Sequence, residues 1–159
     1  MTLGGLTLRP AVPTDAQGMA DIHARSFGRA WARTDFEGFL DPTGFGMVAE
    51  ARIDKGLRGF ILTRIIADEA EVLSFAVDPD WRACGVGKML LTSLILSLKM
   101  SDRAGSIVLE VAEDNHVALG LYERARFEQV GIRPDYYGTL NGDRARGLIL
   151  RRELNRPIE

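Results

Sequence analysis

Cysteine is almost missing: Cys84 is the single one among 159 residues, so no internal disulfide can staple the fold and a reducing compartment is expected. The two histidines, His23 and His116, are isolated, with no partner at metal-ligand spacing, which argues against a metal site. No apolar run is long enough to cross a bilayer, and the first residues carry no basic stretch ahead of an apolar one; a cytoplasmic location is therefore expected. Neither sign of charge dominates, with 20 basic and 22 acidic residues and a formal net charge of −2. That balance argues against a chain that coats nucleic acid or an anionic membrane, and neither is expected as a partner. Repeats, low-complexity tracts and Pro/Ser-rich linkers are also missing. Residues 1–159 are thus expected to form one domain, large enough to bury roughly two-thirds of its unfolded surface.

What the chain does contain is a regular alternation of strand and helix signals. Leu6-Thr7-Leu8-Arg9 starts a strand, and Thr14 with Gln17 has capping-box spacing for a first helix. Thr34 and Glu37 repeat that spacing before a second helix through Phe36, Phe39 and Leu40, which Asp41-Pro42 stops. Strands are expected at Gly46–Arg52, Gly59–Ile66 and Ala70–Val77. A helix from Val86 to about Lys99 carries Val86, Leu90, Leu94 and Leu98 on one stripe, with Leu91 and Ile95 beside it. Ser106–Val111 is the next strand, Asn115–Ala125 the next helix, and Phe127–Ile132 and Leu148–Leu154 the closing strands. The order β-α-α-β-β-β-α-β-α-β-β predicts a mixed α/β (α+β) sheet with an antiparallel meander in its first half.

Between the third inner strand and the long helix lies Arg82-Ala83-Cys84-Gly85-Val86-Gly87-Lys88. Two glycines allow a tight turn and close approach of a ligand, and the helix start leaves N–H donors unpaired. With Arg82 and Lys88 at its ends, the segment reads either as a cradle for a polyphosphate or as a plain strand-to-helix turn. It is neither a nucleotide P-loop, because Met89 follows Lys88, nor a dinucleotide fingerprint, because Leu90 stands at the third glycine position. Cys84 lies in the cradle, but no histidine is placed to activate it as a nucleophile.

Glu110 interrupts the aliphatic run Ile107-Val108-Leu109-x-Val111. A carboxylate there belongs either to a solvated sheet face or to a functional site. Asn115 and Tyr122, seven apart, fall within about 20° of each other on a helix, so both can address one cleft; taken alone, such a tyrosine is more often a half-buried core residue with its hydroxyl at the edge. Phe27 and Trp31 flank a loop that could line a substrate entrance. Trp31, Tyr136 and Tyr137 are either packed loop aromatics or the wall of a peptide groove. Arg144 and Arg146 read as a solvated strand face.

The run Ala76-Val77-Asp78-Pro79-x-x-Arg82-x-x-Gly85-x-Gly87, followed by Leu109-Glu110-Val111, Asn115, Leu121-Tyr122-Glu123-x-x-x-Phe127 and Tyr136-Tyr137, resembles the GNAT acetyltransferases. Within them it is most similar to the RimI-type enzymes, which acetylate the N-terminal alanine of a small-subunit ribosomal protein. The resemblance implies the GNAT fold, a mixed, mostly antiparallel central sheet with helices on both faces. It implies acetyl-CoA as cosubstrate, without a metal, its pyrophosphate on Arg82, Ala83, Cys84, Gly85, Val86, Gly87 and Lys88. Phe75, Ala76 and Val77 would run along the pantetheine arm, and Asn115 and Tyr122 would touch the cofactor. Glu110 would be the general base and Tyr122 the acid in a direct transfer to an amine, with no acyl-enzyme. The implied partner is a protein or peptide N-terminus, such as that of a small-subunit ribosomal protein, met by a monomer or weak homodimer.

The chain departs from that pattern at three places. Ala125-Arg126-Phe127 replaces the usual Leu-Gly-Phe, so the helix end is expected to be strained or rebuilt. Ala112 stands where an arginine usually follows the base, and the sequence before the last strand reads Asp143-Arg144-Ala145-Arg146. These changes bear on the acceptor. A GNAT enzyme acting on a small amine (a polyamine, antibiotic or amino acid) and a non-catalytic acyl-CoA-binding module are the alternatives; the module would need the cradle but neither Glu110 nor Tyr122.

Overall fold

The strand and helix signals resolve in a computed structural model that describes residues 3–29, 31–136 and 145–154. In chain order the elements are β1 (Leu6–Pro10), α1 (Ala16–Ser26), α2 (Arg33–Phe39), β2 (Gly44–Ala51), β3 (Leu57–Ile66), β4 (Glu69–Val77), α3 (Val86–Ser101), β5 (Ser106–Ala112), α4 (His116–Arg124), β6 (Glu128–Tyr136) and β7 (Ala145–Glu153). The seven strands form one sheet in the order β1-β2-β3-β4-β5-β7-β6. Every neighbouring pair is antiparallel except β4 and β5, which run parallel. The element order is the one the sequence predicts.

Alternation along the strands divides the core into two layers. Met47, Ala49, Ile61, Ile107, Leu109, Val111 and Leu150 pack with α3 and Tyr122 of α4 on one face. Val48, Phe60, Leu62 and Ala76 pack with Met19 and Ile22 of α1 and Phe36 of α2 on the other. The stripe on α3 is fully sunk: Val86, Leu90, Leu91, Leu94, Ile95 and Leu98 are all buried. At about 1.5–3 kcal/mol for each large side chain, this helix is the largest single hydrophobic contribution to that face.

The helix starts depart from the expected capping boxes. A 3-10 turn at Pro13–Asp15 precedes α1, and the reciprocal acceptor is Asp15, which takes the Val12 N–H at 2.8 Å. Gln17 instead donates to Asp21 one turn on. At α2 the cap is Ala32, whose N–H donates to Asp35 at 2.8 Å, while Glu37 pairs with Arg33. In both places an aspartate close to the start outcompetes the expected Thr-x-x-Gln/Glu pair, because its short carboxylate reaches back without strain.

The last two strands extend further toward each other than the spacing predicts. β6 runs past Ile132 through Pro134 to Tyr136, and β7 begins at Ala145. Pro134 is tolerated because β6 is an edge strand and the pairing is irregular between Arg133 and Tyr136.

Candidate active site

The parallel pairing of β4 with β5 is short: Glu69, Ala70 and Glu71 match Ser106, Ile107 and Val108, and no pairs follow. On its other side, β4 skips a residue against β3, with Leu62 opposite Ser74 and Thr63 opposite Val72, so Leu73 is bulged. A bulge bends and twists its strand, and here it sits where β4 parts from β5. From Val72 to Val77 the β5-facing edge of β4 is therefore unpaired with β5, and a gap opens through the sheet. An extended chain of amides can lie along such an edge by the same hydrogen bonds that a strand would make.

The cradle stands at the end of this gap. Gly85 is the N-cap of α3 with φ 89°, a left-handed conformation that favours glycine, and no side chain caps the helix. The first-turn N–H groups, which have no intrahelical acceptor, are left for an anion. A Cβ placed on Gly87 would lie 3.6 Å from Phe75, 3.7 Å from Val77 and 3.8 Å from Leu121, so this glycine faces the gap between β4 and α4. Lys88 is exposed on the same turn. Arg82 is used differently from a free phosphate ligand: its guanidinium bonds the Val77 carbonyl at 3.3 Å and Ser26 Oγ at 3.2 Å. Arg25 pairs with Asp78 at 2.9 Å and Asp80 at 3.1 Å. The end of α1 thus braces the turn in which the cradle is set. Cys84 Sγ is directed at the Arg82 carbonyl, 3.3 Å away.

The sheet register places Glu110 and Tyr122 on different sides. Leu109 and Val111 belong to the α3/α4 layer, so Glu110, between them, faces the opposite way. Its side chain is 35% exposed. Tyr122 is buried in the α3/α4 layer, its ring 6.5 Å from Phe75 and 5.6 Å from Phe127. A ligand threaded through the gap would meet the phenol from one face and the carboxylate from the other.

Asn115 is the N-cap of α4, and its carboxamide oxygen accepts from Ala118 N–H at 3.2 Å. The first duty of this side chain is therefore to start the helix that carries Tyr122. At the other end of α4, Arg126 takes φ 65°, with Phe127 N–H bonded to the Tyr122 carbonyl and Arg126 N–H to that of Glu123. This is a Schellman end with arginine in the glycine position.

Of the loop aromatics, Trp31 is half-buried and stacked on His23 at 4.9 Å, with Phe36 and Phe39 beside it. His23 is buried, and its Nδ1 accepts from Trp31 N–H at 3.1 Å; desolvation holds its pKa below the usual value. Phe27 remains 43% exposed, its ring 4.5 Å from His23. Tyr136 ends β6, and Tyr137 and Arg144 lie outside the described residues. Arg146 is exposed and paired with Glu113 at 3.0 Å. Among the described residues no three metal-ligating side chains come together, and no helix is long and apolar enough to cross a membrane.

One residue that the motif spacing does not single out meets Glu110 directly. Arg133 of β6 places Nη1 3.0 Å from Oε2 and 3.3 Å from Oε1. It lies one position beyond the expected end of that strand at Ile132, next to Pro134. Carried through the proline, β6 brings Arg133 into the sheet with only β7 between it and β5, the strand of the carboxylate.

Comparison with known proteins gives a consistent picture. The profile of the Acetyltransferase (GNAT) family matches residues 16–127. The ribosomal protein bS18-alanine N-acetyltransferase of Salmonella typhimurium is 33% identical over 129 residues, covering 81% of this chain and 85% of that protein. The enzyme of the same name from Haemophilus influenzae is 36% identical over 142 residues, covering 83% and 95%. The crystal structure of the ribosomal-protein-S18-alanine N-acetyltransferase from Escherichia coli superposes with a TM-score of 0.86 over 97% of both chains, at 28% identity.

Proposed function

Since this chain belongs to the GNAT acetyltransferase family and is an N-acetyltransferase, we propose that it transfers the acetyl group of acetyl-CoA to the N-terminal α-amine of a protein, in the manner of its ribosomal-protein-acetylating relatives. The observation that carries this reading is the gap between β4 and β5, with an uncapped glycine turn at its end, Tyr122 on one face and Glu110 on the other. The residues present suit the cosubstrate: Gly85 supplies the turn, Gly87 leaves space, and Val86, Gly87 and Lys88 offer N–H donors to a diphosphate. The free edge of β4 at Phe75, Ala76 and Val77 offers amide partners to the pantetheine arm, and a backbone N–H there would polarise the thioester carbonyl.

In the proposed mechanism both substrates are bound together. Glu110 takes a proton from the acceptor ammonium, directly or through water, and the freed nitrogen attacks the thioester carbon. As the C–S bond breaks, Tyr122 gives its proton to the departing sulfur, and the second proton of the attacking nitrogen leaves through water, restoring the phenol as the amide forms. The energetics favour an α-amine. Deprotonating it at pH 7 costs about 1.1 kcal/mol for a pKa near 7.8, against about 4.6 kcal/mol for a lysine near 10.4. A single carboxylate base suits the smaller of these. The acceptor then approaches from the Glu110 face, past Phe27, and a small-subunit ribosomal protein in the cytoplasm is the acceptor its relatives indicate.

The test is acetyl-CoA turnover against peptides with free N-terminal alanine, the same peptides with blocked termini and an internal lysine, and a set of polyamines. Turnover confined to the free N-termini is expected. Preference for the polyamines would replace this reading with small-amine acetylation, and no turnover with any of them would favour a binding module.

A further inference from the structure

Glu110 and Arg133 stand two strands apart, with β7 between them. Glu110 is opposite Ile149 of β7, and Arg133 is opposite Gly147 of the same strand. Residues directly opposite share a face, so Glu110, Ile149, Gly147 and Arg133 all belong to the acceptor side of the sheet. Arg133 therefore has to reach across β7 to meet the carboxylate, and the residue in its row is a glycine with no side chain to obstruct it. One guanidinium nitrogen then spans both carboxylate oxygens, at 3.0 and 3.3 Å. The Glu110 side chain is 35% exposed and that of Arg133 60%. Exposed pairs of this kind contribute little to stability. They do restrict a side chain that otherwise samples many rotamers.

We infer that Arg133 is a positioning residue for Glu110: it holds the carboxylate on the acceptor face in the free enzyme and yields it to the incoming ammonium. This rests on the assignment of Glu110 as the base. The exchange replaces one cation by another at the same two oxygens, so the carboxylate stays paired throughout, and a weak, solvent-accessible bridge is the kind that exchanges readily. Two kinetic consequences oppose each other. Arg133 competes with the acceptor for Glu110, which raises the acceptor KM, and it keeps the base aimed, which raises kcat.

The experiment is steady-state kinetics on Arg133→Gln, Arg133→Lys, Glu110→Gln and the double variant Glu110→Gln/Arg133→Gln, with an alanine-terminated peptide and acetyl-CoA as substrates. Arg133→Gln is expected to lower kcat about tenfold, a fraction of what a general base supplies, and to lower the peptide KM, with the acetyl-CoA KM unchanged. Arg133→Lys should restore most of kcat, and Arg133→Gln should have no further effect once Glu110 is gone. A simple loss of folded protein would lower kcat without moving either KM or being rescued by lysine. The inference is overturned if kcat in Arg133→Gln is unchanged, if the peptide KM is unchanged or rises, if lysine fails to restore kcat, or if the two substitutions act additively. Wild-type rates in Glu110→Gln would instead remove Glu110 as the base, a separate outcome that the single variant reads alone.

Discussion

Gly85 and Gly87 are two apart in one turn, yet their need for glycine has different origins. Gly85 adopts φ 89°, so any side chain there strains the backbone. A Cβ at Gly87 would meet its neighbours only at 3.6 Å or more, so the free protein tolerates it. Gly87→Ala is expected to keep or raise stability, by up to about 1 kcal/mol from helix propensity, while weakening acetyl-CoA binding at least about tenfold. Thermal melts and titration calorimetry on the same variant check both halves. Arg126 shows the converse, a side chain where glycine would serve. Its left-handed φ of 65° costs about 1–2 kcal/mol, and burial, aided by the Arg126 charge, holds the pKa of Arg152 below the usual value. Arg126→Gly is therefore expected to stabilise the protein by about 1 kcal/mol, read as a raised midpoint in denaturant. The glycine turn and the intrusive Glu110 were legible in the sequence because each violates a local preference, and Arg126 because it departs from the family's Leu-Gly-Phe pattern. Arg133 was not, since an arginine before Pro-Asp violates nothing.

At the level of elements, the helix stripe of α3 and its start at Val86 were legible in the sequence, while the caps of α1 and α2 were not. Asp15 shows why. Its carboxylate takes both the Val12 N–H and the Arg9 guanidinium, with Arg9 also bound to Glu50 of β2 at 2.8 Å. The partner that makes Asp15 the better cap is thus set by the pairing of β1 with β2, which the local sequence does not show. Burial would raise the pKa of Asp15, but the hydrogen bonds from Arg9 and Val12 outweigh it and hold the group below its ordinary value. A depressed carboxylate contributes stability that is complete above the unfolded value of about 3.9 and is lost as pH falls through the lower folded value. Asp15→Asn is expected to cost about 2 kcal/mol at neutral pH. The difference from wild type should shrink in urea melts taken progressively below pH 4; a pH-independent difference would mean that the ion pair is not its source. β6 carries the same lesson, since its proline looks like a stop until the strand is known to be at an edge.

For the molecule as a whole, the strand order could be anticipated, but the parting of β4 from β5 could not. It depends on the bulge at Leu73 and on a parallel pairing that ends after three residues, and neither leaves a mark in the local sequence. In the proposed mechanism that parting would give the donor and acceptor separate faces of one sheet, with Tyr122 and Glu110 meeting the ligands from opposite directions. If the phenol acts on the leaving sulfur as proposed, Tyr122→Phe is expected to lower kcat about a hundredfold while leaving the acetyl-CoA KM nearly unchanged; equal losses in both would mark a binding role. The most direct measurement is a crystal structure of the protein with CoA. The diphosphate should lie within hydrogen-bond distance of the N–H groups of Val86, Gly87 or Lys88, and the thiol should sit in the gap between β4 and β5, on the Tyr122 side. A diphosphate bound elsewhere, or a thiol lying outside that gap, would contradict the account.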